Sequence, residues 1–318
     1  MIRTGSNHPK QHLFFIIYDI DPMKFQTTYH SIHELGQRSN QEDSIYPALG
    51  QKIPNNGIFI LCDGMGGHES GEVASQTVCQ TMSSYILNHP DTDFDSALEA
   101  AYIALDTKDN HAEKKMGTTL AFVKFDEDKC IVAHIGDSRV YQIRPSEKRI
   151  VYVTRDHSLV NSLIDCGELT PEEAKHSKQK NVITRAMQPN QERRAKADVA
   201  ILSDIKAGDY FYMCSDGMLE VSEDEDIVNV LSSDKTDEQK IKILKGVTQN
   251  NKDNHSAHLI HIVDTDGVFI KKATIKKYLI ALAIIILVIF YQFASRRKVD
   301  QETLPKETDP SEIFFPVE

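Results

Sequence analysis

The chain contains no tryptophan, and its five cysteines include no pair with the Cys-x-x-Cys spacing. Structural zinc sites and dithiol redox sites normally use that spacing, so the sequence indicates neither. Four of the cysteines lie in apolar patterns typical of buried strands or helices, which predicts reduced core residues in a cytosolic compartment. A nucleophilic cysteine is the alternative, but none lies in a loop of the kind that such chemistry requires. The five are Cys62, Cys79, Cys130, Cys166 and Cys214.

A surplus of basic residues is also lacking, because 36 Lys and Arg stand against 47 Asp and Glu, a formal net charge of -11. Binding to the phosphates of a nucleic acid requires a basic face, so nucleic acid is excluded as a partner. The 13 histidines are too dispersed to predict a zinc site. No signal peptide is predicted, since the apolar run at 13–18 is short and acidic residues follow it. Translation from Met23 and an added edge strand are two interpretations of that run.

Two short apolar strands each end in Asp-Gly, and this repeated arrangement is the most informative feature of the chain. Asp63-Gly64 follows the first strand, and Asp216-Gly217 follows the second. A carboxylate at the end of a buried strand is fixed in position, and the glycine leaves the backbone carbonyl open to a ligand. Two such ends brought together supply oxygen ligands for hard divalent cations. Asp-Gly is also an ordinary turn signal, so the surrounding sequence has to decide.

Six further short segments, each rich in acidic residues, glycine, Thr or Arg, are distributed over more than two hundred residues before, between and after these two strand ends. They are 36–43, 116–119, 134–139, 154–158, 181–186 and 253–254. In this order and at these spacings, the eight segments resemble the metal-dependent protein serine/threonine phosphatases of the 2C class, particularly their bacterial members. The resemblance covers roughly residues 29–264.

The resemblance implies a protein serine/threonine phosphatase that hydrolyses phosphoserine and phosphothreonine by attack of a water bridging two metal ions. The ions are Mn²⁺ or Mg²⁺, with a weaker third ion as a further possibility. Matching of motif positions gives the implied metal ligands as Glu42, Asp43, Asp63, Gly64, Asp137, Asp216 and Asp253. Of these, Asp63 bridges the two ions, and Asp43 orients the shell from behind.

The remaining roles follow from the same matching. Asp216 and Asp253 complete the shell of the first ion, and Glu42 serves the second ion, largely through water. The third ion is assigned to Asp137, with Asp216 and Glu220 as neighbours. A purely structural role for Asp137, shaping the hairpin between two strands, is the alternative.

Arg38 is the expected phosphate clamp, because its planar guanidinium matches paired phosphate oxygens. It lies four residues before Glu42, so both side chains can face one cleft; the alternative is an ordinary surface arginine. Met65 departs from the pattern, since animal members carry a histidine there that is taken to protonate the leaving group. A polar stretch at about 156–187 resembles the flap that borders the cleft in bacterial members.

Phosphorylated proteins, the substrates of a serine/threonine kinase, are the expected partners of a monomeric catalytic domain. Two other functions remain open. One is a catalytically silent domain that binds phosphoproteins or takes part in signalling at a membrane. The other is a phosphomonoesterase that acts on a small molecule. Metal binding without turnover distinguishes the first, and a substrate panel distinguishes the second.

The coarse pattern alternates long helix pairs with runs of strand, which favours an α+β fold of two sheets packed face to face. The resemblance implies a four-layer α/β/β/α sandwich of antiparallel sheets. Strands are predicted at 57–62, 118–125, 130–135, 139–144, 150–154, 209–214 and 257–263. Helices are predicted at 71–88, 94–109, 158–166, 224–231 and 236–250.

A transmembrane helix is predicted at 278–294, where the sequence is almost entirely apolar and basic residues flank both ends. Four lysines precede it and three cationic residues follow, which favours a cytoplasmic catalytic domain in a single-pass membrane protein. The predicted organisation is an N-terminal extension (1–28), the phosphatase domain (29–264), a basic linker (265–277), the membrane span and a short polar tail (295–318).

Overall fold

The computed structural model describes residues 25–51, 57–66, 70–109, 115–126, 128–265 and 286–287. The strands are β1 (Gln26–Glu34), β2 (Asp43–Tyr46), β3 (Ile58–Met65), β4 (Gly117–Thr118), β5 (Leu120–Phe125), β6 (Cys130–Ile135), β7 (Arg139–Arg144), β8 (Arg149–Val153), β9 (Asp198–Leu202), β10 (Tyr210–Cys214) and β11 (His255–Asp264). The helices are α1 (Ser70–Asn88), α2 (Phe94–Asp106), α3 (Leu159–Asp165), α4 (Pro171–Lys175), α5 (Asp224–Leu231) and α6 (Asp237–Val247).

The strands form two antiparallel sheets. One has the order β1-β11-β10-β7-β8, and the other has the order β2-β3-β5-β6-β9 with β4 paired to β3. Asp63-Gly64 was predicted to follow a strand that ends at residue 62, but both residues lie within β3, where they pair with Asp43 and Thr118. Asp216-Gly217 follows β10, so the two Asp-Gly pairs belong to different sheets.

Strand β3 shows why the sheets are covered on both sides. Phe59 and Leu61 point into the core between the sheets, where Phe211 of β10 is also buried. Ile58 and Ile60, which alternate with them, pack into a second core that includes residues of α1 and α2. A third core lies between the other sheet and helices α5 and α6. The expected arrangement of two antiparallel sheets flanked by helices is confirmed.

The predicted elements match the observed ones closely at β6, β7 and α5, whereas the single strand predicted at 118–125 is divided into β4 and β5. Strands β1, β2 and β9 and helix α4 were not predicted. Strand β1 is polar, and polar residues face it on β11. Ser31 Oγ lies 2.7 Å from His258 Nδ1, and His33 Nδ1 lies 2.9 Å from Ser256 Oγ. These cross-strand pairs replace the apolar contacts that a sequence pattern detects.

Burial of His258 makes the stability of the fold sensitive to acid. The side chain is fully buried, and burial lowers its pKa to about 4. The unfolded chain binds a proton at this residue below about pH 6.5, so this histidine should cost about 3 kcal/mol of stability between pH 6.5 and pH 4. Chemical denaturation of the wild type and of His258→Gln across this range measures the effect. A stability difference between the two proteins that does not change with pH would contradict it.

The predicted burial of four cysteines is confirmed. All five are free; Cys62, Cys79, Cys130 and Cys214 are buried, and Cys166 is exposed. Burial raises the pKa of the Cys62, Cys130 and Cys214 thiols. These three are therefore neutral thiols, which are poor nucleophiles.

The described residues 25–265 belong to one compact unit, whose boundary lies at residue 268. Nowhere in the described ranges is a helix both long and apolar enough to cross a bilayer. Apart from Ile286 and Leu287, the span predicted at 278–294 lies outside those ranges, as do the tail and most of the N-terminal extension. The predicted span and domain boundaries therefore stay predictions.

Candidate metal centre

Five aspartates from distant parts of the chain converge at one end of the two sheets. Asp43 begins β2 and lies directly opposite Asp63 of β3. The carboxyl groups of Asp63 and Asp216 are within hydrogen-bonding reach of each other. Asp137, in the turn between β6 and β7, and Asp253, just before β11, are close enough to raise the pKa of Asp63. The structure thus brings together all the aspartates that the sequence analysis had selected.

Burial and mutual repulsion perturb these carboxyl groups strongly. Burial raises the pKa of Asp63 well above its usual value, and the charge of Asp43 raises it further. Burial raises the pKa of Asp43 to about 7, although hydrogen bonds from Ser256 and Ser215 oppose the shift. Burial also raises the pKa of Asp137 to about 7. Without a nearby positive charge, such a cluster disfavours the ionised carboxylates.

The donor set fits hard divalent cations. Oδ1 of Asp137 is buried and has no hydrogen-bond partner among the described residues. An unsatisfied buried carboxylate oxygen is costly, and a bound cation would satisfy it. The converging side-chain donors are carboxylate oxygens, which Mg²⁺ and Mn²⁺ prefer over sulfur or imidazole ligands.

Hydroxyl groups hold the backbone of Asp63 in place. The backbone N–H of Thr119 and the hydroxyl of Thr118 donate to the carbonyl oxygen of Asp63 at 2.8 and 2.9 Å. The N–H of Asp63 donates to Oγ1 of Thr119 at 2.9 Å, and that oxygen lies 2.7 Å from Oγ of Ser138. Thr119 therefore connects Asp63 to the turn that carries Asp137. No role was predicted from the sequence for the hydroxyl groups of Thr118, Thr119 and Ser138.

Asn254 holds the loop that carries Glu42. Its buried side chain donates to the carbonyl oxygens of Leu35 and Asn40 at 2.8 and 3.1 Å, and it accepts from the N–H of Glu42 at 2.7 Å.

Gly64 packs closely against the start of α1, because a Cβ added there would lie 2.2 Å from the carbonyl oxygen of Gly71. With the backbone in its present position, a side chain at residue 64 would clash with the backbone of Gly71.

Arg38 faces the aspartate cluster. Its Nη2 lies 2.5 Å from Oδ2 of Asp253, while 52% of its side chain is exposed. The guanidinium therefore reaches both the cluster and solvent. Glu220 lies at the same site, because its charge raises the pKa of Asp216 and its Oε2 accepts from the N–H of Lys252 at 3.3 Å.

A second group of potential ligands was not predicted. His134, His157 and Asp198 place ligand atoms within 4.8 Å of one another. The two imidazole rings are stacked with centroids 4.4 Å apart and planes 13° apart, so their in-plane lone pairs do not converge on one point. His157 instead joins neighbouring segments, since its Nδ1 accepts from the N–H of Gly136 at 3.0 Å and its Nε2 lies 3.1 Å from Asp198. Two of the dispersed histidines thus meet, but as structural partners.

Comparison with known proteins points to one family. A family model described as protein phosphatase 2C matches residues 34–261. The chain is 31% identical over 236 residues to the serine/threonine protein phosphatase PstP of Mycobacterium tuberculosis, covering 72% of this chain and 43% of PstP. It is 34% identical over 217 residues to the protein phosphatase PhpP of Streptococcus pneumoniae, covering 61% of this chain and 85% of PhpP. It thus spans less than half the length of PstP.

Solved structures agree. The crystal structure of Mycobacterium tuberculosis PstP has a TM-score of 0.65 and 29% identity, covering 74% of this chain and 98% of that one. The catalytic domain of PstP in complex with two manganese ions has a TM-score of 0.61 and 30% identity, covering 75% of this chain and 99% of that one.

Proposed function

Because this chain belongs to the protein phosphatase 2C family, we propose that it is an enzyme that hydrolyses phosphoserine and phosphothreonine on proteins, with Mn²⁺ or Mg²⁺ as cofactor. The observation that carries the proposal is the convergence of five buried or half-buried aspartates beside one arginine. Support for the metal comes from PstP, whose catalytic domain has been solved with two manganese ions.

Each residue at the cluster has a proposed part. When bound, the ions lower the pKa of a water molecule and neutralise phosphate oxygens. Asp63 and the Gly64 carbonyl would hold the ions at the centre of the site, and Asp43 would orient Asp63 from the neighbouring strand. The other proposed ligands are Glu42, Asp137, Asp216 and Asp253. The hydroxyl groups around Asp63 and the amide of Asn254 keep the ligands in place before any ion binds.

The proposal is tested with the full chain purified in a mild detergent. A phosphothreonine peptide should not be hydrolysed after treatment with EDTA, and Mn²⁺ added in excess should restore turnover. A rise in melting temperature with Mn²⁺ but no turnover of any substrate would instead indicate a catalytically silent domain. Faster hydrolysis of sugar phosphates than of phosphopeptides would indicate a small-molecule phosphatase.

Removing the Arg38 side chain should raise KM more than it lowers kcat. Charge-assisted hydrogen bonds contribute about 1.5–3 kcal/mol, so Arg38→Ala should raise KM by about 10- to 100-fold. Arg38→Lys keeps the charge but loses the paired hydrogen-bond geometry, so its KM should lie between that of the wild type and that of Arg38→Ala. Arg149→Ala, which removes a half-exposed arginine from β8, is the matched control. Steady-state kinetics with one phosphopeptide give the answer, and an unchanged KM in Arg38→Ala would contradict the clamp.

We also propose that residues 278–294 cross a membrane as one helix and that the catalytic domain is cytoplasmic. Seventeen helical residues span about 25 Å, close to the thickness of a bilayer core. The flanking charges support the orientation, because Lys271, Lys272, Lys276 and Lys277 precede the run and three cationic residues follow it. Substrates and their kinase would then meet the phosphatase at the same bilayer.

Cell fractionation and protease protection test the tether. The full chain should remain with membranes after a high-salt wash, while a chain truncated after residue 270 should not. An epitope tag placed after residue 318 should be cleaved by external protease in cells or spheroplasts, and the catalytic domain should be protected. Recovery of the full chain in the soluble fraction would exclude a membrane-spanning helix.

A further inference from the structure

A cleft of about 900 Å³ opens at the end of β3. Met65, two residues after Asp63, lines it, together with residues from the segment 183–196. Four lining residues are cationic and none is acidic; they are Arg185, Arg193, Arg194 and Lys196. This is unusual on a chain whose formal net charge is -11.

Two of these cations have structural partners. Arg194 forms ion pairs with Glu99 and, at 2.8 Å, with Asp106, and its guanidinium lies 5.1 Å from the ring centroid of Tyr102. It therefore attaches the segment 183–196 to α2. Arg185 donates to Oδ1 of Asp198 at 2.7 Å.

Arg193 and Lys196 differ from them. Both are exposed, and neither forms an ion pair with any residue that the structure describes. The positive charge of these two side chains is therefore available to a ligand in the cleft. An arginine fork and a lysine ammonium together suit a carboxylate or a phosphate group.

Hydrogen bonds through β4 join the segment that lines the cleft to the backbone of Asp63. Thr118 and Met187 exchange two backbone hydrogen bonds, each of 2.9 Å. The hydroxyl of Thr118 donates to the carbonyl oxygen of Asp63 at 2.9 Å. A peptide whose phosphoresidue lies at the aspartates advances by about 3.3 Å per extended residue. Its neighbouring residues can therefore reach this cleft.

We propose that the cleft is a substrate subsite that binds an anionic side chain, a carboxylate or a second phosphate, within a few residues of the hydrolysed phosphoresidue. The inference rests on the proposed function, because it names which phosphoproteins are preferred. Acidic or multiply phosphorylated segments are hydrolysed faster than neutral ones. Because both cations are exposed, the preference weakens as salt rises.

The experiment compares kcat/KM of the Mn²⁺-loaded full chain on matched phosphothreonine peptides. One peptide has neutral flanks; the others carry a single Asp or a single phosphoserine at each position from three before to three after the phosphothreonine. Ion pairs between exposed charges are individually weak, so two of them should give a preference of about two- to thirtyfold at the best position. The Asp and phosphoserine series separate a carboxylate from a second phosphate as the better ligand.

Charge variants assign the preference to the cleft. Arg193→Gln combined with Lys196→Gln should reduce kcat/KM for the acidic peptide to the value for the neutral one, after each variant is normalised to its own turnover of p-nitrophenyl phosphate. Arg193→Lys combined with Lys196→Arg keeps both charges and should keep the preference. Lys235→Gln combined with Lys242→Gln, at and just before α6, removes the same charge from exposed positions and is the matched control.

The outcomes are distinguishable. Equal hydrolysis of acidic and neutral peptides by the wild type would overturn the subsite and leave the proposed function intact. Loss of the preference in the α6 control as well would also overturn the subsite, because net charge alone would then explain the effect. Hydrolysis of none of the phosphopeptides would overturn the proposed function itself.

Discussion

Asp63→Asn should abolish metal-dependent turnover and, at the same time, stabilise the metal-free protein. The carboxylate lies at the centre of the cluster, so it would be the central ligand of the proposed metal site, and the variant would lack that ligand. We expect turnover to fall by at least about a thousandfold. The same carboxylate faces Asp43 across the β2–β3 pair, and Asp216 repels it as well. Replacing it with a neutral amide of similar shape relieves that repulsion.

Two measurements on the same variant check these opposite effects. Melting of the EDTA-treated protein should occur at a higher temperature in Asp63→Asn than in the wild type. The upward shift that Mn²⁺ causes in the wild type should largely disappear, because binding to the folded state is what produces it. Asp234→Asn, at an exposed position before α6, should change neither property. A variant that is less stable without metal and still gains stability from Mn²⁺ would contradict the central role of Asp63.

The site residues that could be predicted from the sequence are those that belong to a local sequence pattern. Asp63 and Asp216 were predicted because each ends a local apolar run, and the chemistry of a strand-end carboxylate can be recognised within eight residues. Thr119 and Asn254 received no role, because their partners lie far away along the chain. Asn254 bonds to Leu35, Asn40 and the N–H of Glu42, more than 200 residues away. No local pattern indicates such a contact.

The same reasoning applies to the fold. Strand β3 was predicted because it is buried on both faces and reads as a continuous apolar run. Strand β9 lies at a sheet edge, and its exposed positions carry the apolar residues Val199 and Ile201, so its sequence shows no alternation of polar and apolar residues. The segment 183–196 has little regular structure, and its cations were not connected with the cleft from sequence. The position of these cations near Asp63 depends on the hydrogen bonds between Thr118 and Met187, and no local sequence pattern indicates that contact.

Of the substitutions considered, Arg144→Met should lower the free energy of unfolding most. Arg144 lies at the end of β7, far along the strand from the candidate metal centre. Arg144 is 1% exposed and forms two hydrogen bonds of 2.9 Å with the carboxylate of Asp209, which is itself 1% exposed. Removing one partner of a buried pair leaves an uncompensated charge, which costs about 3–5 kcal/mol. That is a large part of the 5–15 kcal/mol by which a domain is typically stable. Urea denaturation of the EDTA-treated proteins measures the change.

Comparison of variants separates the pair from simple loss of a side chain. Arg149→Met removes an arginine whose partner Glu147 is exposed, and it should cost less than about 1 kcal/mol. Adding Asp209→Leu to Arg144→Met removes the unpaired carboxylate and should restore part of the loss. A cost below 1 kcal/mol for Arg144→Met would contradict the role given to the pair.

The same variant also distinguishes residues that maintain the fold from residues that serve the site. Arg144 lies five residues from Arg139, which is about 17 Å along an extended strand and away from the turn that carries Asp137. The folded fraction of Arg144→Met should therefore bind Mn²⁺ with the affinity of the wild type. Asp63→Asn should behave in the opposite way, with a stable fold and no productive metal site. Isothermal titration of both variants with Mn²⁺, under conditions in which each is folded, tests this separation directly.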